Sequence, residues 1–238
     1  SEAGARLLTA QRELLALEEK TGVRLVLALE PEPDGTFERI VDLAAWLDKT
    51  VLSGVEPAER RIGICWDLCH AAVVGEHPSD ILSALAACRI PLGKIQVSAA
   101  LQAEAPFSPR AVERLRELAR SPYLHLVRGS LPDGRPWAAA DLEAWASDPG
   151  RPSLDQVRIH CHVPLHRSDF GDGLRATRWR PAVKLALEAG FRDFEVETYT
   201  LPVLPPAFLE RADITGTLVA EMESALLATG LRAAEPRS

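Results

Sequence analysis

A chain of 238 residues, 47% hydrophobic and 26% charged, is long enough to bury a sizeable core as one large α/β domain and too apolar to be disordered. Its formal net charge of -7 and pI near 5.5 argue against a nucleic-acid-binding surface, which needs clustered Lys and Arg. No apolar run reaches membrane-spanning length without a charge, the N-terminus lacks a signal-peptide pattern, and the four cysteines form no secreted disulfide framework, so the expectation is a cytoplasmic protein with reduced thiols.

The chain enters directly in an amphipathic helix over 4–20, and because it starts with Ser rather than Met an upstream part is expected to be missing. The strand-like run VRLVLALEPEP (23–33) is followed by the helix-period stretch TFERIVDLAAWLDKTVL (36–52). RIGICWDLCH (61–70) precedes a helix over 78–88, and GKIQVSAAL (93–101) precedes one over 108–120. YLHLVRG (123–129) and QVRIHCHVPL (156–165) read as two more strands. The Gly-, Pro- and Asp-rich stretch between them, 129–156, reads as a surface insertion with a short helical piece, placed to act as a lid. A helix over 176–190, the strand FRDFEVETYT (191–200) and a helix over 214–230 complete the series. Thr36, Ser79 and Ser108 stand at N-cap positions, and Gly190 and Gly230 where C′ glycines stop helices. Strand then helix, repeated, predicts a parallel sheet. Six strands are read where a closed (β/α)8 TIM barrel has eight, so residues 1–238 are expected to form one partial barrel domain lacking its first strands.

Glu30, Asp67, Gln96 and Glu197 each sit where one of these hydrophobic runs stops. The C-terminal ends of parallel strands face the crevice in which α/β sheets hold ligands, so four such ends converging make an oxygen-rich cage. Oxygen donors suit Mg or Mn, and a neighbouring imidazole widens the choice toward Mn, Co or Zn. Asp67 and His70, three residues apart at a strand end, can turn to one site; the plain alternative is a capping Asp beside a loop His. Glu30 precedes Pro31, which ends the strand and leaves the carboxylate at the rim; its plain reading is a surface Glu. Glu195 and Glu197 share a strand face, with Glu197 the ligand and Glu195 expected to pair with a buried Arg or Lys; the alternative is an edge strand with a polar face. Arg158, His160 and His162 also share a face, placed to chelate zinc or to hold a substrate oxygen or phosphate. His125 is the weakest candidate, and His77 reads as solvated.

These motifs resemble the xylose-isomerase-like TIM barrels, a superfamily of sugar-phosphate isomerases and epimerases, hydroxypyruvate isomerase and endonuclease IV. LALEPEP resembles its first metal-binding glutamate, CWDLCHAAVVG its DxxH strand end, KIQVSAAL the strand bearing His or Gln, and EVETYT its last metal-binding glutamate. LEPEP, WDLCH, KIQVSAAL, YLHLV, RIHCHVPL and EVETYTLPVLP together are most similar to the metabolite traffic protein EboE family, over about residues 20–210. The resemblance implies a divalent metal (Mn, Zn, Co or Mg) at Glu30, Asp67, Gln96 and Glu197, with Glu30 and Glu197 as the acid/base pair of an isomerase or epimerase. His70, Arg158, His160 and His162 then hold a small metabolite. The implied partners are that metabolite, further copies of the chain or other Ebo-cluster proteins, with no nucleic acid and no membrane insertion. The alternatives are a non-catalytic metabolite-binding or transport-associated protein on the same scaffold and, disfavoured by charge and by Gln96, an endonuclease-IV-like phosphodiesterase.

Overall fold

The structure, a computed structural model, describes residues 2–121, 125–197, 201–209 and 213–230. In chain order its principal elements are α1 (Glu2–Thr21), β1 (Leu27–Leu29), α2 (Ile40–Trp46), β2 (Ile62–Asp67), α3 (Leu68–Val73), α4 (Pro78–Cys88), β3 (Leu92–Val97), β4 (Ala100–Glu104) and α5 (Pro109–Ala119). There follow β5 (Val127–Ser130), β6 (Pro136–Ala139), α6 (Leu142–Ser147), β7 (Gln156–His162), β8 (Asp169–Gly171), β9 (Leu174–Ala176), α7 (Arg180–Glu188), β10 (Phe194–Val196) and α8 (Ile214–Thr229). Among the described residues no helix is long and apolar enough to cross a membrane.

The expected strand and helix alternation is present from β1 to β3. β1, β2 and β3 lie side by side and parallel, joined through α2 and through α3 and α4, and β10 adds to β3 to give the order β1-β2-β3-β10. The strands sit too close to their surroundings for side chains at two points. A Cβ on Gly63 would stand 2.4 Å from the Pro91 carbonyl oxygen, and one on Gly93 2.8 Å from the Ala28 Cβ. Branched residues such as Ile62, Ile64 and Ile95 face one continuous apolar core that also takes in Val157 and Ile159 of β7.

The remaining strands correct the expectation of a barrel. The run 93–101 breaks at Ser98 and Ala99, and its continuation β4 joins a six-stranded sheet of order β6-β5-β7-β4-β9-β8 in which every pairing is antiparallel. The runs at 123–129 and 156–165, read as parallel barrel strands, contribute β5 and β7 to this sheet. A parallel crossover needs a helix-length connection, whereas β3 and β4 are two residues apart, and β5 and β6 are joined by a tight turn at Asp133 and Gly134, where Gly134 has φ +81°. The expected insertion 129–156 is therefore largely a hairpin with α6 behind it. Among the described residues the four-stranded sheet is open, with β1 and β10 as its edges, and no closed barrel forms.

Helix ends follow local chemistry with two exceptions to the predicted caps. Ser108 Oγ accepts the Ala111 N–H at 3.0 Å, and Gly230 closes α8 at φ 66°. Thr36 and Ser79 cap nothing. The buried Glu76 carboxylate instead takes the Ile40 and Val41 N–H groups at the start of α2, at 2.8 and 3.0 Å, and α4 begins with Pro78 after His77. α1 is fastened by a polar side chain: Gln11, 1% exposed, donates to the Glu59 carbonyl at 2.7 Å and accepts the Arg61 N–H at 2.6 Å.

Candidate metal centre

The C-terminal ends of the parallel strands carry the four polar residues as expected. Glu30 follows β1, Asp67 ends β2, Gln96 lies beside it in register on β3, and Glu197 follows β10 with its N–H on the Val97 carbonyl at 3.2 Å. Asp67 has two tasks. As the N-cap of α3 its Oδ1 accepts the His70 backbone N–H at 2.7 Å, which turns the next helical residue but two toward the same site. Ser98 Oγ stands 3.0 Å from both carboxylate oxygens of Asp67 and accepts the Cys69 N–H at 2.8 Å. The capping Asp and the candidate ligand are the same residue.

His70 Nδ1 lies 3.2 Å from Glu30 Oε1, 3.2 Å from the Pro31 carbonyl oxygen and 3.9 Å from Asp67 Oδ1. His160 and His162 reach this point from the opposite direction. β7 runs antiparallel to β4, His162 pairs with Ala100, and the Val163 N–H meets the Ala99 carbonyl at 2.9 Å, so the last residues of β7 arrive at the C-terminal end of β3. The His70 ring is edge-on to both, with centroids 4.7 Å from His160 and 5.5 Å from His162.

Nearly all of this is out of water. Asp67 and His162 are 1% and 2% exposed and His70 and His160 6% and 9%, while the Glu30 side chain at the rim is 33% exposed. Burial opposes the charge on His70, but Glu30 and Asp67 outweigh it and carry its pKa up to about 9. Burial, seconded by the charge on His70, holds His160 down to about 3 and lowers His162. Glu197 is pushed up to about 8 by burial and then by the Asp67 charge, and the two carboxyls share a hydrogen bond; Asp67 itself is held below its usual value, because His70 and His162 outweigh its burial. Near neutral pH the metal-free site therefore pairs one cationic imidazole with an ionised Asp67, beside neutral imidazoles and a protonated Glu197.

The donor atoms of three overlapping sets, His70 with His160 and His162, Asp67 with Cys69 and His162, and Glu30 with Asp67 and His70, each lie within 4.8 Å of one another. Such a cluster could hold a metal ion. Among the described residues, a buried imidazole nitrogen without an acceptor, His160 Nε2, and a buried carboxyl oxygen without a donor, Glu197 Oε2, fit that use.

Two expected residues are otherwise engaged. Gln96 is buried at the site, but its Oε1 accepts from the Cys65 thiol. Arg158 donates to the Ala72 carbonyl at 2.6 Å, at the far end of α3 from Asp67, and does not reach the histidines. Glu195 pairs with Lys94 at 2.8 Å, but the pair is exposed because β10 is an edge strand, so the expectation of a buried partner is corrected. His125 spends Nε2 on Ser121 Oγ at 2.6 Å and Nδ1 on the His160 carbonyl at 3.3 Å, as a structural histidine behind β7. Sequence reasoning missed Cys69 as a donor and Ser98 as the Asp67 partner. The spacing of Cys69 from Asp67 carried a signal; a serine after a strand carries none.

Compared with protein-family models, with curated proteins and with solved structures, the chain matches none.

Proposed function

We propose that this protein is a divalent-metal-dependent isomerase or epimerase acting on a small metabolite, related to the xylose-isomerase-like barrels and among them to the metabolite traffic EboE family, with β1, β2, β3 and β10 as the part it keeps of the barrel's parallel sheet. The observation that carries the reading is the convergence of Glu30, Asp67, His70, His160 and His162 at the C-terminal ends of parallel strands. That is where barrels and open α/β sheets place their chemistry. Three imidazoles beside carboxylates favour Mn, Co or Zn over Mg. A cytoplasmic setting is in keeping with four cysteines that are all free.

Asp67, His70, His160 and His162 would hold the ion, with Glu30 and Glu197 closing the set. Bound there, a divalent ion supplies Lewis-acid polarisation of a substrate carbonyl or hydroxyl. Glu197, which gives up its proton when the ion binds, is then placed beside Asp67 to take a proton from the substrate and return it. Glu30, the most exposed of the set, is placed at the rim to take one from the adjacent carbon, with His70 orienting it from 3.2 Å. Ser98 and the α3 N-terminus fix Asp67, so the carboxylate is oriented before any ligand arrives.

A second reading, metabolite binding without turnover, is favoured by the depth of the site, since four of its side chains are no more than 9% exposed. Elemental analysis of the purified protein beside Asp67→Asn and Glu197→Gln tests the proposal. Near-stoichiometric Mn, Co or Zn, lost in both variants, supports the metal site, and isomerisation of phosphorylated ketoses or hydroxy-oxo acids by the loaded protein alone separates enzyme from binder. A metal-free protein whose variants behave identically overturns it.

A further inference from the structure

α3 has a second working face. Leu68, Ala71 and Ala72, turned away from His70, wall a separate cavity of about 850 Å³ that extends to β4, β7, β9 and the first turn of α7. Neither the metal-site carboxylates nor the three clustered histidines line it. Its volume is that of a metabolite site.

Two buried donors on this wall lack acceptors among the described residues. Arg158 gives one N–H to the Ala72 carbonyl at 2.6 Å, but its buried Nε has no acceptor and its guanidinium makes no ion pair among the described residues. Trp66 is fully buried, and its indole N–H has no acceptor among the described residues either. α7 opens at the cavity but adds little to it, since Pro181 has no N–H and the Ala182 and Val183 N–H groups are held by the Trp179 carbonyl at 3.1 and 3.3 Å. Arg175 and Arg178, both exposed, stand at the same wall without carboxylate partners among the described residues. Of the three acids in the lining, Glu76 and Asp169 are engaged, both Glu76 oxygens taking the α2 N–H groups and Asp169 Oδ1 the Gly171 N–H at 2.7 Å, while the exposed Glu104 accepts from Gln156 Nε2 at 3.5 Å and lends Arg158 a favourable charge without pairing with it. A half-buried guanidinium whose Nε is unpaired, flanked by two further arginines and a buried indole N–H, is a site for an oxyanion.

We propose that this cavity binds a small metabolite through a phosphate or carboxylate group, which Arg158 and Arg175 receive while Trp179 and Leu185 cover its apolar part. The site is independent of the metal cluster, from which it is separated by α3.

The test titrates the full chain with inorganic phosphate and, in parallel, acetate, following tryptophan fluorescence, since Trp66 and Trp179 line the cavity, and heat by calorimetry. Saturable binding of either anion is expected, weakened roughly 10-fold or more by Arg158→Gln, several-fold by Arg175→Gln, and unchanged after divalent ions are stripped with EDTA. Tighter binding of phosphate identifies a phosphorylated ligand, and tighter acetate a carboxylate. Arg175 is exposed, so its variant decides the matter if Arg158→Gln fails to fold. No saturable binding of either anion, equal binding in wild type and the folded arginine variants, or binding abolished by EDTA overturns the proposal.

Discussion

Ser98 Oγ stands 3.0 Å from both carboxylate oxygens of Asp67 while accepting the Cys69 N–H at 2.8 Å, so one hydroxyl joins the end of β3 to the start of α3. Removing it leaves the buried carboxylate intact but free to turn. Ser98→Ala is expected to weaken binding of Zn or Mn roughly 10-fold to 100-fold with little loss of fold, as measured by competition with a chelating dye. Unchanged affinity in a folded variant would mean that the α3 cap alone orients Asp67.

Metal uptake must displace protons. With Glu197 near 8 and His70 near 9 in the metal-free protein, both groups are protonated at neutral pH. Affinity is therefore expected to climb from about pH 6 to about pH 9 and then level off, with protons released on binding. Titrations in buffers of different ionisation heat count those protons. Glu197→Gln should bind more weakly and shed about one fewer proton per ion.

Glu221, 1% exposed on α8, takes the Leu165 N–H through Oε1 at 3.0 Å, and burial raises its pKa from 4.5 to about 7. The folded state holds its proton more tightly than the unfolded one, so this group's stabilising contribution is complete below pH 4.5 and falls as pH rises to about 7. Glu221→Gln keeps the acceptor and removes the charge. It is expected to stabilise the protein by about 1–3 kcal/mol at pH 8 and by little at pH 4.5. Thermal melts at the two values check this, and an equal shift at both would refute it.

Gln11 is the polar rivet of α1, with two buried hydrogen bonds to the segment before β2. Gln11→Ala orphans the Glu59 carbonyl and the Arg61 N–H. A loss of about 1–3 kcal/mol is expected, with amide exchange rising first in α1. Denaturant midpoints and exchange mass spectrometry measure the two effects.

The parallel half of the fold was legible because its signals were local: apolar runs of strand length, each followed by a helix period, and an acid or amide at each run's end. Glu30, Asp67, Gln96 and Glu197 all stand at such ends. The antiparallel half was not. QVRIHCH has the composition of a buried barrel strand, and nothing within it states that it pairs with the antiparallel neighbours β4 and β5. Its two histidines reached the expected place by an unexpected route, because alternation fixes only that they share a face. Arg158 shows the limit of that rule, since residues on one face two positions apart lie far enough along β7 to meet different ends of α3. The Asp-Gly turn at 133 and 134 was the available clue to the hairpin.

The donors that meet at α3 come from Glu30 near one end of the chain to Glu197 near the other, and from both sheets. An ion bridging them would close loops spanning most of the polypeptide, a constraint felt chiefly by the unfolded ensemble. Without the ion the two sheets are tied by their shared apolar core; with it, their common unfolding transition is expected to move to higher temperature.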